Sequence, residues 1–156
     1  MHRHNRETTS PETIEAILSR ATWCTVSMVT PQGTPYAVPL NYGHQGTTLY
    51  AHCALRGTKL DILRHNPRVW VTVVSNAVFY DGGPDAGACK AGTFFSSLMA
   101  SGTAQIITAE DERLHAMQCL LQQFGIADRP LGDAMRVTTL IRIDLGDITT
   151  KERPAP

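Results

Sequence analysis

Apolar positions along the first half of the chain alternate between two spacings. Ile14, Ile17, Leu18 and Ala21 recur at helical intervals, which predicts a first helix ending near Arg20. Ser10 supplies a capping hydroxyl, and Pro11 takes the first helical position, where no amide partner is needed. Residues 22–29, TWCTVSMV, read as a strand of β-branched and aromatic side chains. Pro31-Gln32-Gly33 is a turn, and a second strand runs from Thr34 to Asn41. A further turn at Gly43–Gly46 leads into a third strand, Thr47–His52, which completes a meander. Ala54–Gly57 breaks the strand pattern. Thr58–His65 is a short helix with Leu60 and Leu63 inward and Arg64 outward, stopped by Asn66-Pro67. Arg68–Ser75 is a fourth strand, and its run Val69–Val74 suits a buried position.

The segment 76–92 is rich in Gly, Ala and Asp, and Asp81-Gly82-Gly83-Pro84 marks it as a loop that either closes over a site or connects strands. The chain is extended again from Thr93, most clearly over Ser101–Thr108. Thr108 and Asp111 have capping-box spacing ahead of a helix, Ala109–Phe124, whose Leu114, Met117, Leu121 and Phe124 recur at helical spacing. Gly125 fits its C-terminal cap. Val137–Leu145 is the last strand, and the polar, Pro-rich tail from Glu152 needs no structure. This order disfavours a doubly wound nucleotide fold. It predicts a mainly β architecture, a small barrel with peripheral helices whose closure removes exposed strand edges.

Length and composition narrow this picture. The 156 residues suit one domain, expected over 8–151, with 1–7 and 152–156 as flexible termini. At 42% hydrophobic and 18% charged, the chain is too apolar to be disordered. Its 14 Lys plus Arg balance 14 Asp plus Glu, which argues against general nucleic-acid binding. The low charge also fits a surface partly covered by a second subunit. No apolar run approaches the ~20 residues needed to cross a bilayer. The polar start MHRHNRETTS lacks the apolar stretch of a secretory signal, so a cytoplasmic location is expected. Cys24, Cys53, Cys89 and Cys119 lie far apart and read as free thiols, not as a zinc knuckle or a dithiol pair.

Sequence motifs for dinucleotides, P-loops, hydrolase elbows and HExxH metal sites are all missing, and no metal is expected. His2 and His4 belong to a polar terminus, and His115 to a polar part of the late helix. The most informative segment is LYAHCALRGTKLDILRH, 49–65. A strand ends at His52, and Arg56, Gly57, Thr58 and Lys59 follow where a short helix starts. Helix N-termini present free amides and the positive dipole end; Arg56 and Lys59 add charge and Thr58 a hydroxyl, so this turn can hold a phosphate. Solvated surface is the competing reading. Ser96, Ser97 and Ser101–Gln105 offer further hydroxyls and backbone groups, and Pro35–Asn41 can present strand backbone to a flat ring system. For both segments the composition by itself favours ordinary barrel packing.

Three phrases carry a family resemblance: PYAVPLNYG at 35–43, LYAHCALRGTKLDILRHNPRVWVTV at 49–73 and FSSLMASGTAQII at 95–107. In them the chain resembles the pyridoxamine 5'-phosphate oxidase-like family of FMN-binding split barrels, and within it the flavoproteins related to 5-nitroimidazole resistance. The resemblance implies a homodimer with two FMN sites at the subunit interface. It implies that Lys59 and the turn Arg56, Gly57, Thr58 meet the FMN phosphate. Val38, Pro39 and Leu40 would run along the flavin ring or ribityl chain through their backbone, and Ser97 would lie near the phosphate or ribityl end, from the same subunit as Lys59. Lys151 would approach the cofactor, although Thr150 stands where relatives have Gly; a core role for Val38 and a surface role for Lys151 are the alternatives. His52 resembles a histidine near the flavin that has been given an active-site role, with a structural histidine as the alternative. Cys53 alternates away from His52 and reads as core-facing.

The function implied is an FMN-dependent oxidoreductase that passes electrons from reduced flavin to a small acceptor, a nitroimidazole or another nitroaromatic. The alternative is a flavin-binding protein for storage, sensing or carriage, with haem as a third option. Pyridoxamine phosphate oxidation is disfavoured, because Arg142, Lys151 and Arg153 are the only basic residues near the C-terminus.

Overall fold

Two apolar clusters on opposite faces of one sheet organise the chain. The computed structural model describes residues 9–84 and 87–154. Helix α1 (Pro11–Arg20) starts as the sequence predicts: the Ser10 hydroxyl accepts from the Thr13 amide at 3.2 Å, and Pro11 opens the first turn. Strands β1 (Cys24–Val29) and β2 (Pro35–Leu40) form the first hairpin, β3 (Tyr42–Gln45) and β4 (Thr48–Ala54) the second. Helix α2 (Thr58–His65) leads into β5 (Arg68–Tyr80), β6 (Gly92–Ile106), α3 (Glu110–Gln123), the short α4 (Ala134–Val137) and β7 (Thr138–Arg153).

All strand pairs are antiparallel, in the order β2-β1-β5-β6-β7-β4-β3. The terminal strands β2 and β3 are joined through Asn41 alone, whose amide donates to the Thr22 carbonyl at 2.9 Å. The sheet therefore curls into a mainly β split barrel, and hydrogen bonds do not close the seam as full closure would require. Inward residues of β1, β5 and β6, including Cys24, Val26, Val71, Val73 and Leu98, meet Leu60, Ile62 and Leu63 of α2 and Ile17 and Leu18 of α1 in the main core. The second cluster lies outside the barrel wall. There Tyr50 and Leu140 pack under Ala116, Met117, Cys119 and Leu120 of α3.

Several expectations are corrected. Residues 43–45 belong to β3 rather than to a turn, and the hairpin turns at Gly46. Gly43 is there because α3 crosses its backbone: a Cβ at 43 would sit 2.2 Å from the Cys119 carbonyl oxygen. The loop expected from Asn76 is strand as far as Tyr80, because a bulge between Ser75 and Val78, with Asn76 at φ 54°, lets the β5–β6 ladder continue. The last strand extends to Arg153 on the long ladder with β6, so Glu152 and Arg153 are structured. Residues 1–7 and the end of the tail fall outside the described residues. No capping box forms at α3: Ala109 is its cap residue, without a side-chain hydrogen bond. On α3, Leu114 and Phe124 are exposed, and the buried stripe runs instead through Ala116, Met117, Cys119 and Leu120.

Candidate functional site

The turn after β4 is built to stay open. Gly57, the N-cap of α2, has φ +146°, a conformation that L side chains rarely adopt, and a Cβ there would meet nothing within 4 Å. No side chain caps the helix; the Leu60 and Asp61 amides donate to the Gly57 carbonyl, which leaves those of Thr58 and Lys59 open. Arg56 and Thr58 are exposed and Lys59 is half-buried. Burial pushes the Cys53 thiol up, and the Lys59 ammonium pulls against that shift, which places its charge beside the end of β4. Cys53 faces the core, as the strand alternation predicts. Free amides, two cations and a hydroxyl around open space fit a phosphate group.

Strand β2 contributes differently. Val38 and Leu40 turn inward against the core, while Pro39 is exposed. Because β2 pairs with β1 alone, the backbone on its other edge has no ladder partner and can meet a ring system. The core packing of the Val38 side chain leaves that edge open.

Ser97 and Lys151 face each other across the β6–β7 ladder, and the Ser97 hydroxyl donates to the Lys151 carbonyl at 3.4 Å. Thr150 points into the barrel, 1% exposed, so its side chain leaves the Lys151 face clear. Within one chain this pair and the Arg56–Lys59 turn border opposite ends of β7: Thr138 pairs with Ala54 just before the turn, Lys151 with Ser97 near the other end. The outer face of β5 and β6 exposes Trp70, Val74 and Met99, and Trp23 is exposed just before β1. The site residues thus fall into two groups.

His52 is exposed on the outer face of β4, opposite Leu140. It lines an apolar cavity of about 250 Å³ with Met117, Leu120, Leu121, Phe124 and Ile126. The helical spacing of Leu121 and Phe124 was the only sequence signal of this cavity, and it pointed to the core. Arg142 donates to Asp144 at 2.9 Å and Glu112 at 3.3 Å, and Arg153 lies over the Phe94 ring, so both C-terminal arginines have protein partners. Among the described residues no group of His, Cys, Asp or Glu is arranged to hold a metal, and no helix is long and apolar enough to cross a membrane.

Comparison with known proteins agrees with this architecture. The solved structure of a protein named for 5-nitroimidazole antibiotic resistance, from Bacteroides thetaiotaomicron, superposes with a TM-score of 0.79 at 25% identity, over 93% of this chain and 85% of that one. The flavocytochrome Anf3 of Azotobacter vinelandii gives 0.80 at 21% identity, over 100% and 73%. An FAD and haem binding protein of Mycobacterium smegmatis gives 0.79 at 20% identity, over 96% and 74%. A search of curated proteins found no match. The profile of the pyridoxamine 5'-phosphate oxidase family matches residues 10–152, so the chain belongs to that family.

Proposed function

We propose that the chain binds FMN at the interface of a homodimer and passes electrons from the reduced flavin to a small acceptor such as a nitroaromatic. The observation that carries this reading is the open, uncapped turn Arg56-Gly57-Thr58-Lys59 directly after the strand that bears His52. Arg56, Lys59 and the first amides of α2 hold the phosphate, and the free edge of β2 meets the ring through backbone. Bound FMN supplies a two-electron carrier whose organic chemistry is its own. The protein orients it and keeps His52 beside the acceptor, where the ring donates a hydrogen bond or proton. Ser97, expected on the subunit of Lys59, is instead assigned with Lys151 to the second subunit, because within one chain the pair lies at the far end of β7 from the turn. The exposed Trp23, Trp70, Val74 and Met99 supply the apolar surface that a subunit interface needs.

The visible spectrum of the purified protein tests the cofactor, with flavin bands expected and haem bands distinguishable from them. Anaerobic reduction followed by stopped-flow mixing with a nitroimidazole tests the activity, with rapid reoxidation expected. A protein that neither carries flavin nor binds added FMN overturns the reading. Flavin whose reoxidation is indifferent to the acceptor leaves a binding protein instead of an enzyme.

A further inference from the structure

The geometry points to a proton-controlled latch between α1 and the β3–β4 hairpin, in which His44 ties the two together most firmly when both of its ring nitrogens carry protons. The latch involves no residue assigned to the flavin site.

The ring is held in a fixed frame. His44 pairs with Leu49 in the hairpin, and its side chain is only 7% exposed. Nδ1 lies 3.3 Å from the Gly46 carbonyl, an oxygen that can only accept, so Nδ1 holds a proton. Nε2 lies 3.3 Å from the Ser19 hydroxyl on α1. That hydroxyl has one proton to give, and it donates it to Glu15 Oε1 at 2.9 Å. A neutral ring would need the same proton for Nε2, and one proton cannot serve both acceptors. A second ring proton removes the conflict. Nε2 then donates to Ser19, Ser19 donates to Glu15, and the ring charge stands 3.8 Å from the carboxylate.

The surroundings favour that state. Among the described residues lining this corner, Glu15 is the one carboxylate, and neither Lys nor Arg is present to oppose the ring charge. Cys119, contributed by α3, keeps its proton because burial pushes its thiol up. His115, also on α3, is turned to Gln45 at 3.0 Å and to the Cys119 sulfur. The remaining ties of α1 do not respond to protons in the histidine range. The Tyr42 hydroxyl, kept neutral by burial, donates to the Leu18 carbonyl at 2.7 Å, and the Gln123 amide donates to the carbonyls of Leu18 and Ala21. His44 is therefore the variable tie. Its ring is paired in the folded chain and unpaired in the unfolded one, so the folded state takes up the extra proton more readily. The added stability is present at low pH and is lost as pH rises through the histidine range.

Urea unfolding of the full-length protein at about pH 5.5 and pH 8 tests this. Relative to His44→Gln, the wild-type folding equilibrium constant is expected to be about fivefold more favourable at the lower pH than at the higher, the yield of about one ion pair. Glu15→Gln keeps an acceptor for Ser19 but removes the charge, and it is expected to abolish most of that gain. Glu15 is 58% exposed, so this variant carries the comparison should His44→Gln fail to fold. Long-range ¹H–¹⁵N NMR of the ring reads the protons directly, with both nitrogens protonated at the lower pH. A ring that keeps one neutral tautomer at both pH values overturns the proposal. So does a pH response that Glu15→Gln leaves unchanged.

Discussion

The hydroxyl of Ser97 reaches the main-chain carbonyl of Lys151 at 3.4 Å across the β6–β7 ladder, away from the end of β7 that borders Arg56–Lys59. In the proposed homodimer one subunit's pair serves the other's turn. Lys59→Ala and Lys151→Ala are each expected to weaken FMN binding by about tenfold or more, the loss of one charge-assisted contact. Mixed after unfolding and refolding together, they are expected to recover about a quarter of the sites, because half the dimers then carry one intact site. Fluorescence titration with FMN measures this. A site made within one chain recovers nothing.

Three of the four cysteines are sealed. Burial pushes the Cys24 thiol from its ordinary 9.0 up to about 12, and Cys53 and Cys119 move in the same direction. Cys89 is exposed. Maleimide labelling of the folded protein is expected to modify Cys89 fast and the others only on unfolding. The sign of the pH dependence follows. Above pH 9 the unfolded thiol loses its proton and the folded Cys24 keeps it, so stability falls as pH rises. Cys24 contributes about 1.4 kcal/mol per pH unit to that fall until its folded value is reached. Urea unfolding between pH 8 and 11 measures the slope.

Thr150 is 1% exposed, and its hydroxyl has no hydrogen-bond partner. Thr150→Val keeps the shape and removes the unpaired polar atom. We expect a gain of roughly 1 kcal/mol in urea unfolding, with FMN affinity unchanged because the side chain points into the barrel.

Gly43→Ala drives a methyl group into the Cys119 carbonyl, 2.2 Å away on α3. A loss of roughly 3 kcal/mol is expected, since helix backbone cannot yield as a flexible side chain does. Thermal unfolding checks it.

Much of the fold was legible locally. Ser10-Pro11, the Leu60 and Leu63 stripe, Asn66-Pro67 and Gly125 each act through their own backbone and nearest turns, so the sequence determined α1, α2 and the end of α3. The segment Arg56–Lys59 was legible for the same reason: an uncapped helix start beside two cations is a local arrangement. Long-range pairing was not. Residues 76–80, NAVFY, carry Val, Phe and Tyr and were masked only by the Gly- and Asp-rich stretch after them, whereas 146–153 look polar by composition and are strand because β6 is long enough to ladder with them. The outward turn of Leu114 and Phe124 depended on which face of α3 meets Tyr50 and Leu140. The sequence by itself determined a mainly β chain with a phosphate-competent turn after His52. Only the tertiary structure decided that Ser97 and Lys151 stand apart from that turn and that His52 opens onto an apolar cavity. Strand register and helix docking set those positions, and both are fixed by contacts between residues far apart in the chain.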